Sequence, residues 1–395
     1  MVAAYPNDGS GLMRTTRLLS AAILLTALAG CGTSTPAASP EAAKPEVIRL
    51  GTLVPLSGRN SPSGEAMVAA ARLAVQEAND KGGVLGRQVE LVVEDDACDP
   101  GTAVTAARNL IAKDVTVSVG GYCSSATVPT LKIFRTAGVP MIVALSNSTD
   151  LLTPGYDSIF LICGMVTAEA DFAVDWMKRL GGHRLAVVHD GTSFPITLAE
   201  STVASAQRTG DVKVAAELEL SQGAPSYART ATSVIKSGAD VVYYTGYYAE
   251  ANQLIKDLRD GGFKGSVVVG DGATDGPLLE NLTAAQSKKV YGTALIVPEF
   301  MPELKAWSDR YQAATGAAPG PSTVEAYDAV NVALDAISRA GSTDREAVRK
   351  AISTTDMQAM SGPMSFNADG TRKVPKFLLL RAEGKGFSLE PQPAS

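Results

Sequence analysis

Four short stretches carry residues whose types and spacing suit chemistry. In "VVVGDG", Asp271 stands between Gly270 and Gly272, so its carboxylate is free of flanking bulk and suited to receive a ligand ammonium group. In "SSAT", Ser124 and Ser125 stand where a strand-forming run gives way to a helical pattern. The first turn of a helix leaves N–H groups without partners and carries positive partial charge, so a ligand carboxylate suits it. "SSAT" taken alone favours a plain capping serine. In "VVYYTGYYAE", Tyr247 and Tyr248 follow a strand end, where a ring can wall a cleft, although such tyrosines are more often core or surface residues.

The cysteines form the fourth feature. Cys98 in "VEDDACDP" and Cys123 in "VGGYCSSATVPT" each follow a strand-forming run, and the two runs are consecutive in one βαβ pattern. Their carboxyl ends should lie close together, and a bridge would contribute roughly 3 kcal/mol by restricting the unfolded chain. Cys163 is then left over as a buried free thiol. The alternative is three free thiols.

Other chemistries find little support. The two histidines, His183 and His189, flank one predicted strand without a cysteine at ligand spacing, so no metal is expected. No G-x-S-x-G elbow occurs, and the S-x-x-K of Ser233–Lys236 lies inside a predicted amphipathic helix. Asp95 and Asp96 are adjacent strand residues and point to opposite faces, which disfavours an acid/base pair. "GDGATDG" departs from dinucleotide-loop spacing, so no cofactor is expected. A net charge of -6 with 19% charged residues and no basic stripe disfavours nucleic acid.

The elements that must hold these residues follow from periodicity. Arg14 and Arg17 precede "LLSAAILLTALAG", a run too short to span a bilayer, which ends at Cys31. "LAGC" matches a bacterial lipoprotein signal in which Cys31 is lipidated. An ordinary signal peptide is the alternative, and Met13 is a plausible start. Residues 32–46, rich in Pro, Ser, Thr and Ala, read as a disordered tether. The protein is expected to be exported and to meet the membrane only through its lipid anchor.

From Val47 onward, β-branched runs alternate with helical stretches. "VIRLGTLVPL", "QVELVVEDD", "VTVSVGG" and "VPMIVAL" are strands, separated by helices such as "GEAMVAAARLAVQEANDKGG". A second series begins after "FLICG", with "RLAVVHD", "VKVAAELEL", "DVVYYTG" and "SVVVGDG" as strands. The pattern predicts an α/β protein of two doubly wound lobes, with ligands at the carboxyl ends of the strands. Helices about Glu303–Thr315 and Thr323–Arg339 should complete one lobe, and a late strand, "KFLLLRAE", should close the chain.

"GGVLGRQVELVVEDDACDP", "YCSSATVP", "RLAVVHD" and "DVVYYTGYYAE" together resemble the periplasmic leucine/isoleucine/valine-binding proteins of ABC transporters, over nearly all of the chain from about Val47. The resemblance implies the type I periplasmic-binding fold, with two lobes joined by a three-strand hinge. The chain then divides into a signal peptide (1–31), a tether (32–46), one lobe (47–164 and 297–373) and a second (165–296 and 374–391). It implies a binding function without catalysis, an amino acid as ligand, and ABC permease subunits as partners. A receptor of the same fold, sensing amides or other small polar solutes, is the alternative.

Carried over residue by residue, the resemblance places the carboxylate-binding serine at Ser124 and the disulfide at Cys98 and Cys123. Further backbone and hydroxyl contacts fall on Leu145, Ser146 and Asn147. The ammonium-binding acid falls on Asp271, on a shorter arm than the family's glutamate, and the cleft tyrosine on Tyr247. Three aromatic positions depart, becoming Ser63, Phe194 and Ser322. Two small polar groups in place of rings predict a pocket roomier and more polar than one shaped for leucine.

Overall fold

A computed structural model describes residues 47–274 and 278–391. The signal segment, Cys31 and the tether lie outside the described residues. Two parallel-rich sheets organise the rest. The first contains β1 (Ile48–Val54), β2 (Val89–Asp95), β3 (Val117–Ser118), β4 (Met141–Val143) and β5 (Ile159–Leu161), in the spatial order β2-β1-β3-β4-β5. Every pair in it is parallel. In β1 only Arg49 is incompletely buried, as expected for a strand covered on both faces.

One face is covered by the helices Ser61–Asp80 and Thr323–Ala340, where Met67, Ala70, Val330 and Ala333 pack with Leu50 and Val117. On the other face, Leu110, Phe134 and Val143 pack with Leu53 and Val92. The first helix begins at Ser61, three residues before the predicted "GEAM" start, because Pro62 is pre-set for a first turn that lacks N–H partners anyway.

The second sheet contains β6 (Arg184–His189), β7 (Lys213–Glu219), β8 (Val241–Tyr244), β9 (Ser266–Val269) and β10 (Val290–Ala294) in parallel. A small hairpin of β11 (Asp356–Ala359) and β12 (Gly362–Ser365) stands apart. Then β13 (Leu378–Glu383) joins β10 antiparallel, and β14 (Gly386–Leu389) joins β13. The order is β14-β13-β10-β9-β8-β6-β7. The expected closing strand is therefore not the last one. Gly384, at φ +64°, allows a tight turn that the strand pattern alone did not reveal.

The chain passes between the sheets three times: after β5, after β10, and before β13. No helix among the described residues is long and apolar enough to cross a membrane.

Candidate functional site

The carboxyl ends of β1 and β2 stand level, because Val54 pairs with Asp95, and the chain beyond β3 runs on beside β1, Gly121 N donating to Leu53 O at 2.9 Å. The loops that follow therefore meet. Cys98 and Cys123 are joined by a disulfide with their Cα atoms 5.3 Å apart, and Asn60 Nδ2 points at both sulfurs, 3.3 and 3.6 Å away. Cys163 is free and buried, its thiol donating to Leu145 O at 3.4 Å.

Beside this edge the two lobes enclose a cavity of about 40 Å³ lined by Tyr122, Leu145, Asn147, Phe194, Tyr247, Asp271, Gly272, Thr274, Leu295, Pro321 and Ser322. Six residues expected at a site thus share one wall: Leu145, Asn147, Phe194, Tyr247, Asp271 and Ser322. Tyr247 also borders a second recess of about 180 Å³, whose lining includes Arg59, Asn60, the disulfide, Ser125 and Gln222.

Phe194, Tyr247 and Tyr122 form a row of rings, with centroids 5.7 and 6.1 Å apart, so the cavity has aromatic walls from both lobes. A Cβ on Gly272 would stand 2.8 Å from Phe194 Cε1, which ties this glycine to the close approach of backbone and ring. The cavity is more aromatic than the serine substitutions suggested, because Tyr122 from the first lobe contributes a ring of its own.

Ser124, Ser146 and Ser63 are not on the cavity wall. Ser124 is fully buried, opens the short helix Ser124–Thr127, and its Oγ accepts from Ser148 N at 3.3 Å. Ser146 Oγ is hydrogen-bonded to Thr127 Oγ1 at 2.7 Å. Ser63 is buried in the first helix, and its Oγ has no hydrogen-bond partner.

Asp271 sits in the turn directly beyond β9, and its Oδ2 accepts from Asn147 Nδ2 at 3.3 Å. Its backbone N–H donates to Glu169 Oε1 at 2.9 Å. Glu169 belongs to the helix Val166–Arg179, is fully buried, and also accepts from Thr293 Oγ1 at 2.5 Å and Tyr243 OH at 3.2 Å. Burial, and then the neighbouring Glu169 charge, push the Asp271 carboxyl well above the usual carboxylate range. Burial raises Glu169 as well. Glu325, in the first turn of the helix Thr323–Ala340, is pushed up to about 7, first by burial and then by Asp328. Burial holds the Tyr247 phenol neutral.

Sequence reasoning missed Tyr122, Glu169 and Glu325. Tyr122 had a signal, since it directly precedes Cys123. The two glutamates had none, because each stands in a helix where an acid ordinarily faces water. Among the described residues, no group of three His, Cys, Asp or Glu is placed to hold a metal ion.

Comparison with known proteins agrees with this architecture. An amino acid binding protein of Pseudomonas aeruginosa is 28% identical over 342 residues, covering 85% of this chain and 90% of that one. A leucine-, isoleucine-, valine-, threonine-, and alanine-binding protein of the same organism is 28% identical over 332 residues, covering 83% and 88%. A leucine binding protein from Thermotoga maritima superposes with a TM-score of 0.80 at 24% identity, covering 87% of this chain and 98% of that one. The fold is the type I periplasmic-binding fold. With the periplasmic binding protein model matching residues 47–386, the chain belongs to the periplasmic binding protein family.

Proposed function

We propose that this protein is the solute-binding component of an ABC importer, taking an amino acid of branched-chain type, or a related small zwitterion, between its lobes. The observation that carries this reading is the shared cavity, in which Asn147 from the first lobe meets Asp271 from the second beneath a row of aromatic rings. The relatives named for leucine and other amino acids support the ligand class.

A zwitterion entering a closed cleft loses its water, so each charge needs a fixed partner. Asp271 receives the ammonium. Ser124 lies behind the cavity wall with its Oγ accepting from Ser148 N, so its O–H donates to the carboxylate only once a ligand parts the wall at the Leu145–Asn147 segment. The side chain lies along Phe194, Tyr247 and Tyr122. Residues 47–164 with 297–373 move as one lobe against 165–296 with 374–391. Because the ligand's partners come from both, binding shifts the population toward the closed form. The protein binds and releases its ligand unchanged, and delivers it to permease subunits from the outer face of the membrane, where lipidated Cys31 anchors it.

Thermal-shift screening against amino acids, amides and aromatic acids tests the reading, because a ligand that prefers the folded form raises the melting temperature. Stabilisation by branched-chain or similar amino acids is expected. Stabilisation by amides alone would overturn the zwitterion assignment.

A further inference from the structure

Tyr247 borders two chambers, the cavity of about 40 Å³ and the recess of about 180 Å³ beside the disulfide. A ligand side chain lying along the Tyr247 ring is therefore led to the larger of the two. The recess takes its lining from both lobes, with Arg59, Asn60 and Ser125 from the first and Thr192 and Gln222 from the second. It is polar where the cavity is aromatic.

The hydrogen-bonding capacity left over in the recess is specific. Asn60 is only 6% exposed, its Nδ2 is turned to the two disulfide sulfurs, and its Oδ1 has no hydrogen-bond partner. A carbonyl oxygen buried in this way is costly, and an N–H donor relieves it. Gln222 Nε2 donates to Asp190 Oδ2 at 2.8 Å, which leaves Gln222 Oε1 as a second acceptor. Thr192 Oγ1 is likewise committed, donating to Asp190 Oδ1 at 2.7 Å. The Ser125 hydroxyl and the Tyr247 phenol, kept neutral by burial, supply O–H donors. Arg59 is the one charged residue on the lining, and its guanidinium is paired with Glu250.

We propose that this recess is a subsite for a neutral carboxamide at the end of the ligand's side chain, which makes glutamine-like zwitterions the preferred class. The inference rests on the reading of the cleft as an amino-acid site and adds what the far end of the ligand must carry. A carboxamide brings two N–H donors for Asn60 Oδ1 and Gln222 Oε1, and a carbonyl oxygen for Ser125 or Tyr247. A carboxylate has no N–H to offer Asn60 and sets its charge against two carbonyl oxygens. An ammonium finds no carboxylate on the lining. A hydrocarbon end leaves Asn60 Oδ1 buried and unpaired, and a subsite built to hydrogen-bond discriminates most strongly against a guest that lacks the group.

Calorimetry on the full chain with L-glutamine and L-homoleucine tests this, because the two side chains share a shape and differ only in the terminal amide. Glutamine should bind more tightly by about tenfold or more. Asn60→Leu, which keeps the size of the side chain, should remove most of that difference by weakening glutamine and not homoleucine. Gln222→Met, at an exposed position, should narrow the difference in the same sense, so a folding defect at Asn60 does not decide the outcome. Glutamine binding no more tightly than homoleucine overturns the subsite, and leucine binding in that case leaves the amino-acid reading standing. If none of the three binds, the amino-acid reading falls, and butyramide decides the recess by itself. Its addition should shift the Asn60 side-chain resonances in ¹H–¹⁵N NMR, assigned with Asn60→Leu, and no shift overturns the proposal.

Discussion

Asn147 Nδ2 and Asp271 Oδ2 lie 3.3 Å apart across the cleft, one residue carried past β4 of the first sheet and the other past β9 of the second. The contact closes the lobes directly over the cavity they share. It makes Asp271 answerable to both halves of the molecule, and Asp271→Ala would remove the carboxyl proposed to meet a ligand ammonium. Ligand affinity should weaken by about 2–5 kcal/mol in calorimetry, the usual cost of stranding a buried charge.

A second tie lies at the rim. The Arg59 guanidinium pairs with Glu250, and the Tyr248 hydroxyl donates to Arg59 O. Glu250 is buried while Arg59 is almost half exposed, so the pair is partly screened by solvent and worth about 1 kcal/mol. Arg59→Met should therefore raise the ligand dissociation rate by roughly fivefold in stopped-flow fluorescence, since closure loses a tie that opening does not need.

The disulfide closes a loop with a sequence separation of 25. Replacing both Cys98 and Cys123 by serine should lower stability by about 3 kcal/mol, read as a shifted urea midpoint. The reading of the cysteines requires that reduction of the native protein have the same effect and that the double serine variant, which keeps Cys163, show no further dependence on reductant.

Asp96, beside this bridge, gives stability a pH signature. Burial raises its carboxyl to about 6, against the backbone N–H of Cys98, which donates to it and lowers it. The folded form holds the proton more tightly than the unfolded chain, so this residue's contribution declines as pH rises from about 4 to about 6 and stays unfavourable above. Asp96→Asn keeps the acceptor for Cys98 N without the charge. It should stabilise the protein at pH 7 by up to about 3 kcal/mol and give no gain at about pH 4, as measured by urea denaturation at both pH values.

The legibility of the molecule in its sequence follows from how local each signal is. The strands of the first sheet and the helices Ser61–Asp80 and Thr323–Ala340 announce themselves by runs and periodicity, which are local. The closeness of Cys98 to Cys123 followed from one βαβ rule. Asp271 was visible because glycines flank it. Glu169 was not, because its burial depends on Tyr243 and Thr293, which arrive 74 and 124 residues later along the chain. In the same way, the resemblance gave Ser124 and Ser146 as ligand contacts, and their hydrogen bonds to Ser148 N and Thr127 Oγ1 were not legible in the sequence. Periodicity locates elements; it does not say which side chains the folded chain encloses.

The crystal structure of the complex with the ligand found by thermal-shift screening tests the central claim most directly. The account predicts the ligand between the lobes, its amino group within hydrogen-bonding distance of Asp271 and its carboxylate at Ser124, with Phe194 and Tyr247 against its side chain. A ligand bound outside this cavity, or one with its carboxylate turned toward Asp271, would contradict it.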